Sequence, residues 1–268
     1  MIRCVRSVTL ILAFALLGCA SVHLLNANQE FTSLMQQAAQ ADQLLNEHTL
    51  DRPSYESTME GLRIAFANNG DVAVKAARAA TTDQSRASLL NVAARSYLKS
   101  GAVAEAKIPT IADEGLDACS RLSSLDALPT TCGYFRIVVP QAVNEDWARQ
   151  VDAVKAREPK FAGQQPLSVE DGKLLVRASE AFFGQLDALS GIENKLDLAT
   201  AGEGLTKVFY DQQNIFFCNA QSALISLRLV VETGDGWNRA AEESRLRASE
   251  STHLATLRNR PVDFDRCP

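Results

Sequence analysis

Apolar residues recur at intervals of three and four along nearly the whole chain, and no segment sustains the alternation typical of a half-buried strand. This spacing predicts an all-α protein made of antiparallel helical hairpins or a bundle. The one run with strand character, 135–139, cannot form a sheet alone. With 268 residues, 46% of them hydrophobic, the chain can bury a full core in one large or two small domains.

Turn and capping residues set the expected helix boundaries. Gly70 is predicted to end a helix that starts at Pro53, in the left-handed conformation, with Asp71 capping the next helix. Gly101 is predicted to end a helix over 83–99, and Pro109 to kink or divide the helix that follows. Ser168 and Asp171 form a predicted capping box. Other helices are predicted at about 28–48, 144–157, 169–189, 192–200, 204–232 and 237–258.

A Pro- and Gly-containing segment divides the chain into two predicted subdomains. Residues 158–167 are predicted to be the linker, between a repeat-like helical subdomain at 28–157 and a second helical subdomain at 168–268.

The N-terminus has the organisation of a leader peptide. Two arginines precede an apolar stretch from Val8 to Leu17, which is too short to span a bilayer as a stable helix. Leu16-Leu17-Gly18-Cys19 resembles the lipobox of bacterial lipoproteins. The resemblance implies removal of 1–18 as a signal peptide and acylation of Cys19, with palmitate among its acyl chains, ahead of a lipidated tether at 19–27. An ordinary secretory signal is the alternative.

The residue after the cysteine bears on the destination. Ala20 stands where lipoproteins retained in the inner membrane commonly carry an aspartate, so the resemblance implies the periplasmic face of the outer membrane. Loss of Arg3 and Arg6 with the signal would leave 25 positive against 32 negative charges, a net charge of −7. Because the chain has no run of Lys or Arg, nucleic acid is not expected as a partner.

Four cysteines remain once Cys4 is removed and Cys19 is acylated. An even number in an oxidising compartment predicts two disulfides. Three pairings are open, and we favour Cys119 with Cys132 and Cys218 with Cys267, because each pair then closes within its own half of the chain. Zinc is the competing interpretation, but no C-x-x-C occurs and the three histidines are scattered at 23, 48 and 253.

A spacing of 31 residues recurs in the first third of the chain. Phe66 precedes Gly70 by four residues, as Tyr97 precedes Gly101. Ala94, Tyr97, Gly101 and Ala106 stand at spacings that resemble a tetratricopeptide repeat, over about 54–121. The resemblance implies stacked helical hairpins with a concave face for a peptide or partner helix. Packing and capping of any antiparallel helix pair would give the same spacing.

No set of residues indicates catalysis, a cofactor or a metal. Glu250 and His253 lie one turn apart, as in half of a di-iron site, but no second Glu-x-x-His occurs and their polar helix predicts a solvated face. The segment Gly202–Lys207 fails the phosphate-loop pattern. No G-x-S-x-G nucleophile elbow occurs either.

Two functions remain as expectations. The first is a lipid-anchored periplasmic protein that binds other envelope proteins as a scaffold or assembly factor, with Phe66 and Tyr97 as candidate partner-binding residues. The alternative is a carrier of a small apolar molecule or lipid, held between C-terminal helices around Phe182, Phe209 and Phe216. A deep apolar cavity would favour the carrier, and an exposed groove at 54–121 would favour partner binding.

Overall fold

The computed structural model describes residues 3–122, 128–157, 166–193, 203–232 and 236–257, with side chains from Ser21 onward except 193, 203–205 and 254–257. Eight α-helices and no strand occur within these ranges, which confirms the all-α prediction. The helices are α1 (Arg3–Asn46), α2 (Arg52–Ala79), α3 (Asp83–Ser100), α4 (Ile108–Ser120), α5 (Pro129–Lys155), α6 (Val169–Glu193), α7 (Glu203–Ser226) and α8 (Arg239–Leu257). None of the described helices is both long and apolar enough to cross a membrane.

The chain divides into two compact units, Met1–Val139 and Pro140–Pro268. The division falls inside α5, at a proline within the helix. Most of the predicted linker, 158–165, lies outside the described residues.

Unit 1 is a set of helical hairpins whose starts follow from local sequence. Asp51 caps α2 by accepting a hydrogen bond of 2.7 Å from the amide of Ser54. Thr82 caps α3 in the same way, and Gly101 ends it with a φ of 56°, as predicted. Pro109 lies in the first turn of α4, where its missing N–H costs no hydrogen bond.

The predicted helix end at Gly70 is wrong, because α2 runs without interruption to Ala79. Asp71 therefore caps nothing, and Gly70 has another role. A Cβ placed on Gly70 would lie 2.6 Å from Cδ1 of Tyr97, so the glycine lets α3 approach α2 closely. The first member of the 31-residue pattern therefore lacks the turn that a helical repeat requires.

Helix α1 extends past the predicted start at 28 and contains the predicted tether, 19–27. Among the described side chains, Ala27 is the first buried one. It is joined to α2 by a hydrogen bond of 3.2 Å from the buried Asn69 amide to its carbonyl.

Helix α5 contains the run with strand character, 135–139, and begins well before the predicted helix at 144–157. Phe135, Ile137 and Val138 are buried in it, so tertiary packing outweighs the β-branched composition. The predicted Cys119–Cys132 disulfide is present and joins α4 to α5. The second predicted pair includes Cys267, which lies outside the described residues.

Unit 2 contains α6, α7 and α8. The capping box is confirmed, since Ser168 Oγ accepts from the amide of Asp171 at 3.1 Å, and Asp171 Oδ2 accepts from the amide of Ser168 at 3.1 Å. Helix α7 ends at Ser226 rather than 232, where a short 3-10 turn leads Val230 to an isolated β-bridge with Leu167. The predicted helix at 192–200 falls almost entirely outside the described residues.

Candidate functional site

A groove of about 540 Å³ opens in unit 1 between α2, α3 and α4. It lies within 54–121, where the sequence predicts a partner-binding face. Its volume falls in the usual range for ligand pockets, about 300–1,000 Å³. Its wall is aliphatic at Val74 and Ile111. The polar lining residues are Asp71, Lys75, Arg78, Tyr97, Lys107 and Thr110.

Tyr97 is the fixed element of this groove. Its side chain is buried, and its hydroxyl donates a hydrogen bond of 2.6 Å to Asp71 Oδ1. Burial first, and then the hydrogen bond to the carboxylate, raise the pKa of Tyr97 above its ordinary value of 10.0. The phenol therefore stays neutral, and Tyr97 holds Asp71 in place.

Asp71 connects Tyr97 to a lysine in the short turn before α4. Lys107 Nζ donates to the same Oδ1 atom at 2.7 Å and lies 5.2 Å from the centre of the Tyr97 ring. The hydrogen bonds from Lys107 and then from Tyr97 lower the pKa of Asp71 from its ordinary value of 3.8. Asp71 is thus a carboxylate at neutral pH.

Two further cations lie along the same face of α2. Arg78 pairs with Glu114 at 2.7 Å, and this hydrogen bond raises the pKa of the guanidinium. Lys75 is exposed and forms no ion pair with any residue in the described part of the chain. Three cations against the carboxylates of Asp71 and Glu114 leave the groove with a net positive charge, although the whole chain is acidic.

The structure separates the two candidate partner-binding residues. Both are buried, but Tyr97 lines the groove and Phe66 does not. Phe66 instead packs edge-on against Phe31 of α1, with the ring centres 5.7 Å apart. Phe66 is therefore a core residue, and a partner would meet the polar side chains around Tyr97.

A second groove, of about 410 Å³, lies between α1 and α2. Glu30 is the one charged residue that lines it. Its buried amide, Asn69, is already bonded to Ala27 and Ser96. This groove carries less charge than the first.

The three candidate ligand residues of unit 2, Phe182, Phe209 and Phe216, are fully buried. Gln213 lies on the same face of α7 as Phe209 and Phe216 and is also 0% exposed. Neither its Nε2 nor its Oε1 atom has a hydrogen-bond partner among the residues that the structure describes.

Glu250 and His253 do not form the solvated face that the sequence predicts. Their side chains are 12% and 13% exposed. The His253 ring stacks on Phe183 at 4.9 Å, and Glu250 accepts a hydrogen bond of 2.8 Å from Gln221. Packing of α8 on α6 buries them. No cluster that could hold a metal ion occurs among the residues described.

Sequence reasoning singles out Tyr97 but misses the charged residues around it. A signal was present in α2, where Asp71, Lys75 and Arg78 follow one another at helical spacing on one face. Nothing in the sequence shows that Lys107, beyond the end of α3, reaches the same carboxylate. Cys19 lies within α1, and its side chain is outside the described set.

No family model, curated protein or solved structure matches this chain.

Proposed function

We propose that this protein is a lipid-anchored binding protein of the bacterial envelope, and that the α2–α3–α4 groove holds an acidic segment of a partner protein. The observation that carries the proposal is the convergence of Lys75, Arg78 and Lys107 on one groove of an acidic chain. Complementary charge steers a partner to such a surface and fixes its orientation.

The ion pairs in the groove can exchange partners at small cost. The Lys107 and Asp71 side chains are 50% and 53% exposed, and an exposed pair contributes only about 0–1 kcal/mol. A carboxylate on a partner could therefore replace Asp71 at Lys107, or Glu114 at Arg78. Lys75 needs no such exchange. Val74 and Ile111 supply apolar surface for an aliphatic side chain of the bound segment.

The anchor is the second part of the proposal. The lipobox resemblance supports acylation of Cys19, and Ala27, eight positions later, is the first buried residue of α1 among the side chains described. A scaffold or assembly factor at the outer membrane would need this arrangement, because the anchor keeps the groove close to other envelope proteins.

In-cell photo-crosslinking tests the groove. A photoreactive amino acid replaces Thr110, which lines the groove and is exposed, and the matched control carries it at Thr58, an exposed threonine of α2 outside the groove. We expect a discrete protein adduct from position 110 and none of the same mass from position 58. Identical adducts from both positions would contradict groove-specific binding.

Charge reversal tests the chemistry of recognition. Lys75→Glu should remove the adduct formed at position 110, whereas Lys99→Glu, an exposed lysine of α3 that does not line the groove, should leave it intact. An adduct that survives Lys75→Glu unchanged would show that the groove does not select acidic segments.

The anchor is tested separately, by Cys19→Ala. We expect loss of acyl incorporation and release of the protein from the membrane fraction. A parent chain that incorporates no fatty acid would remove the lipoprotein assignment without affecting the groove.

A further inference from the structure

The α2–α3–α4 groove lies at one particular end of the α1–α2 hairpin. Helices α1 and α2 are joined by a short turn and run antiparallel. Three contacts fix their register, namely Tyr55 with Asp42, Phe66 with Phe31, and Asn69 with Ala27. Each step forward along α2 is therefore matched by an equal step back along α1.

This register relates the cations of the groove to the start of α1. Arg78 lies twelve residues after Phe66, and Cys19 lies twelve residues before Phe31, so Arg78 is level with Cys19. Lys75 lies three residues before Arg78, which is about 4.5 Å along the helix axis. The groove is thus at the end of the hairpin where Cys19 lies.

The distances from Cys19 to the groove are short. The third cation, Lys107, is bonded to Asp71, which is about 10 Å along the axis from the level of Cys19. Neighbouring helix axes are about 8–10 Å apart, so the α2 positions that carry or bind the three cations lie within about 15 Å of the Cys19 backbone. A groove beside the α1–α2 turn would instead lie about 40 Å away, since α1 continues from Cys19 to Asn46.

The same end of the hairpin exposes apolar side chains. Val22 and Leu25 of α1 are each more than half exposed, and so is Val72, which the register places level with Leu25. The first acidic residue of α1 after Cys19 is Glu30. Exposed apolar side chains beside an acylated residue are suited to the boundary between lipid and water.

We propose that the acidic segment bound by the groove belongs to a protein of the same membrane, and that it lies within a few residues of that partner's own membrane-embedded or lipid-attached part. This inference rests on the proposed function, because it takes acylated Cys19 as the point where the chain meets the bilayer. An extended chain covers about 3.5 Å per residue, so about five residues span the distance from the bilayer to the groove. Two anchors in one membrane keep the segment and the groove at the same height, which raises their effective concentration without a new contact.

A rigid spacer tests the height of the groove. Four EAAAK repeats are inserted between Ala20 and Ser21, ahead of Ala27, the first buried residue among the side chains described. The insert continues helix α1 and moves the groove about 30 Å away from Cys19. We expect the protein adduct formed from position 110 to disappear, while Cys19 remains acylated, because the groove no longer reaches the segment.

A flexible Gly/Ser spacer of the same length, inserted at the same place, is the matched control. Its root-mean-square end-to-end distance is about 25 Å, and it can fold back, so the groove can return to the membrane surface. This variant should keep a substantial part of the adduct.

Lipid contact at the start of α1 gives an independent measurement. A photoreactive amino acid in place of Val22 should form adducts of lipid mass in cells. The same amino acid in place of Ile64 should form none, because this similarly exposed apolar residue of α2 is about 20 Å along the axis from the level of Cys19. Equal lipid labelling at both positions, or none at position 22, overturns the placement of this end at the bilayer.

The outcomes separate this inference from the proposed function. A protein adduct that survives the rigid spacer, or that is lost equally with both spacers, overturns the membrane-bound partner and leaves the preference of the groove for acidic segments intact. If the parent forms no protein adduct from position 110, the proposed function and this inference both fail. An adduct of lipid mass there instead would show that the groove holds headgroup phosphates, and it would overturn both.

Discussion

Gly70→Ala should destabilise unit 1, although alanine is the better helix former. The substitution adds one methyl group in the middle of α2. Its Cβ would lie 2.6 Å from Cδ1 of Tyr97 and 3.1 Å from Cζ, against 3.4–4 Å for an ordinary contact. To remove this overlap with the added methyl group, either the Tyr97 ring must move by nearly 1 Å or α3 must shift.

Tyr97 has little freedom to move away. Its side chain is 2% exposed, and its hydroxyl is tied to Asp71. Overpacking of this kind costs about 1–3 kcal/mol. Replacing glycine by alanine within a helix stabilises it by about 1 kcal/mol. The net expectation is therefore a loss of roughly 1 kcal/mol, with an upper value of about 2 kcal/mol.

Gly61→Ala provides the matched control in the same helix. Gly61 is exposed, and no atom beyond the local helix lies within 4 Å of a Cβ placed there. Only the greater helix propensity of alanine changes the stability here, so this variant should be more stable than the parent by about 0.5–1 kcal/mol. The same substitution thus has opposite signs at two sites of one helix.

Urea unfolding followed by hydrogen exchange of peptides from α2 and α3 measures both effects. Tryptophan fluorescence would not serve, because both tryptophans, Trp147 and Trp237, lie in unit 2. If Gly70→Ala and Gly61→Ala stabilise unit 1 equally, the close approach of α2 and α3 at Tyr97 is wrong. The groove that depends on Tyr97 would then need a different description.

Three further outcomes follow from the described contacts. Replacing Cys119 and Cys132 by serine should destabilise unit 1 by about 3 kcal/mol, because the disulfide closes a loop with a sequence separation of 13. Chemical denaturation with and without reductant measures this loss. If reductant does not change the stability of the parent, the disulfide is absent. Ser168→Ala should lower the stability of unit 2 by about 1 kcal/mol, because it removes one half of the capping box. Thermal unfolding measures the loss, and Ser57→Ala, at an exposed position, is the near-neutral control. The lowered pKa of Asp71 adds stability to unit 1 above the ordinary value of 3.8, and this stability is lost as the pH falls below that value. Asp71→Asn should therefore reduce the fall in the unfolding free energy of unit 1 at acid pH. The same fall in the variant and the parent would show that the carboxylate contributes nothing.

Short-range patterns predict much of the fold correctly. The apolar spacing predicts an all-α protein, and α3 begins and ends within one residue of the predicted bounds. The capping box at Ser168 and Asp171 begins α6 as expected. These features depend on residues within one or two helical turns, so the sequence contains all the information they need.

The errors occur where a distant contact overrides a local preference. Gly70 has the composition of a helix end, yet its neighbour in space is Tyr97 of α3, and α2 continues. The run 135–139 has strand character, yet Phe135, Ile137 and Val138 are buried in α5, close to the disulfide-bonded Cys132. Local preferences are worth about 1 kcal/mol or less per residue, and burial of one large side chain is worth about 1.5–3 kcal/mol.

In the candidate sites too, local sequence patterns predict some features, and contacts between distant residues decide the others. The sequence by itself determined the helical class, the lipobox resemblance and the aromatic face of α7, and it favoured the Cys119–Cys132 pairing that the structure contains. Only the tertiary structure decided that Lys107 meets Asp71 and Tyr97 in one groove, and that the Gln213 side chain is fully buried. Helix periodicity tells which residues share a face, whereas the partner of that face depends on how the helices pack, because residues far apart in the chain meet there.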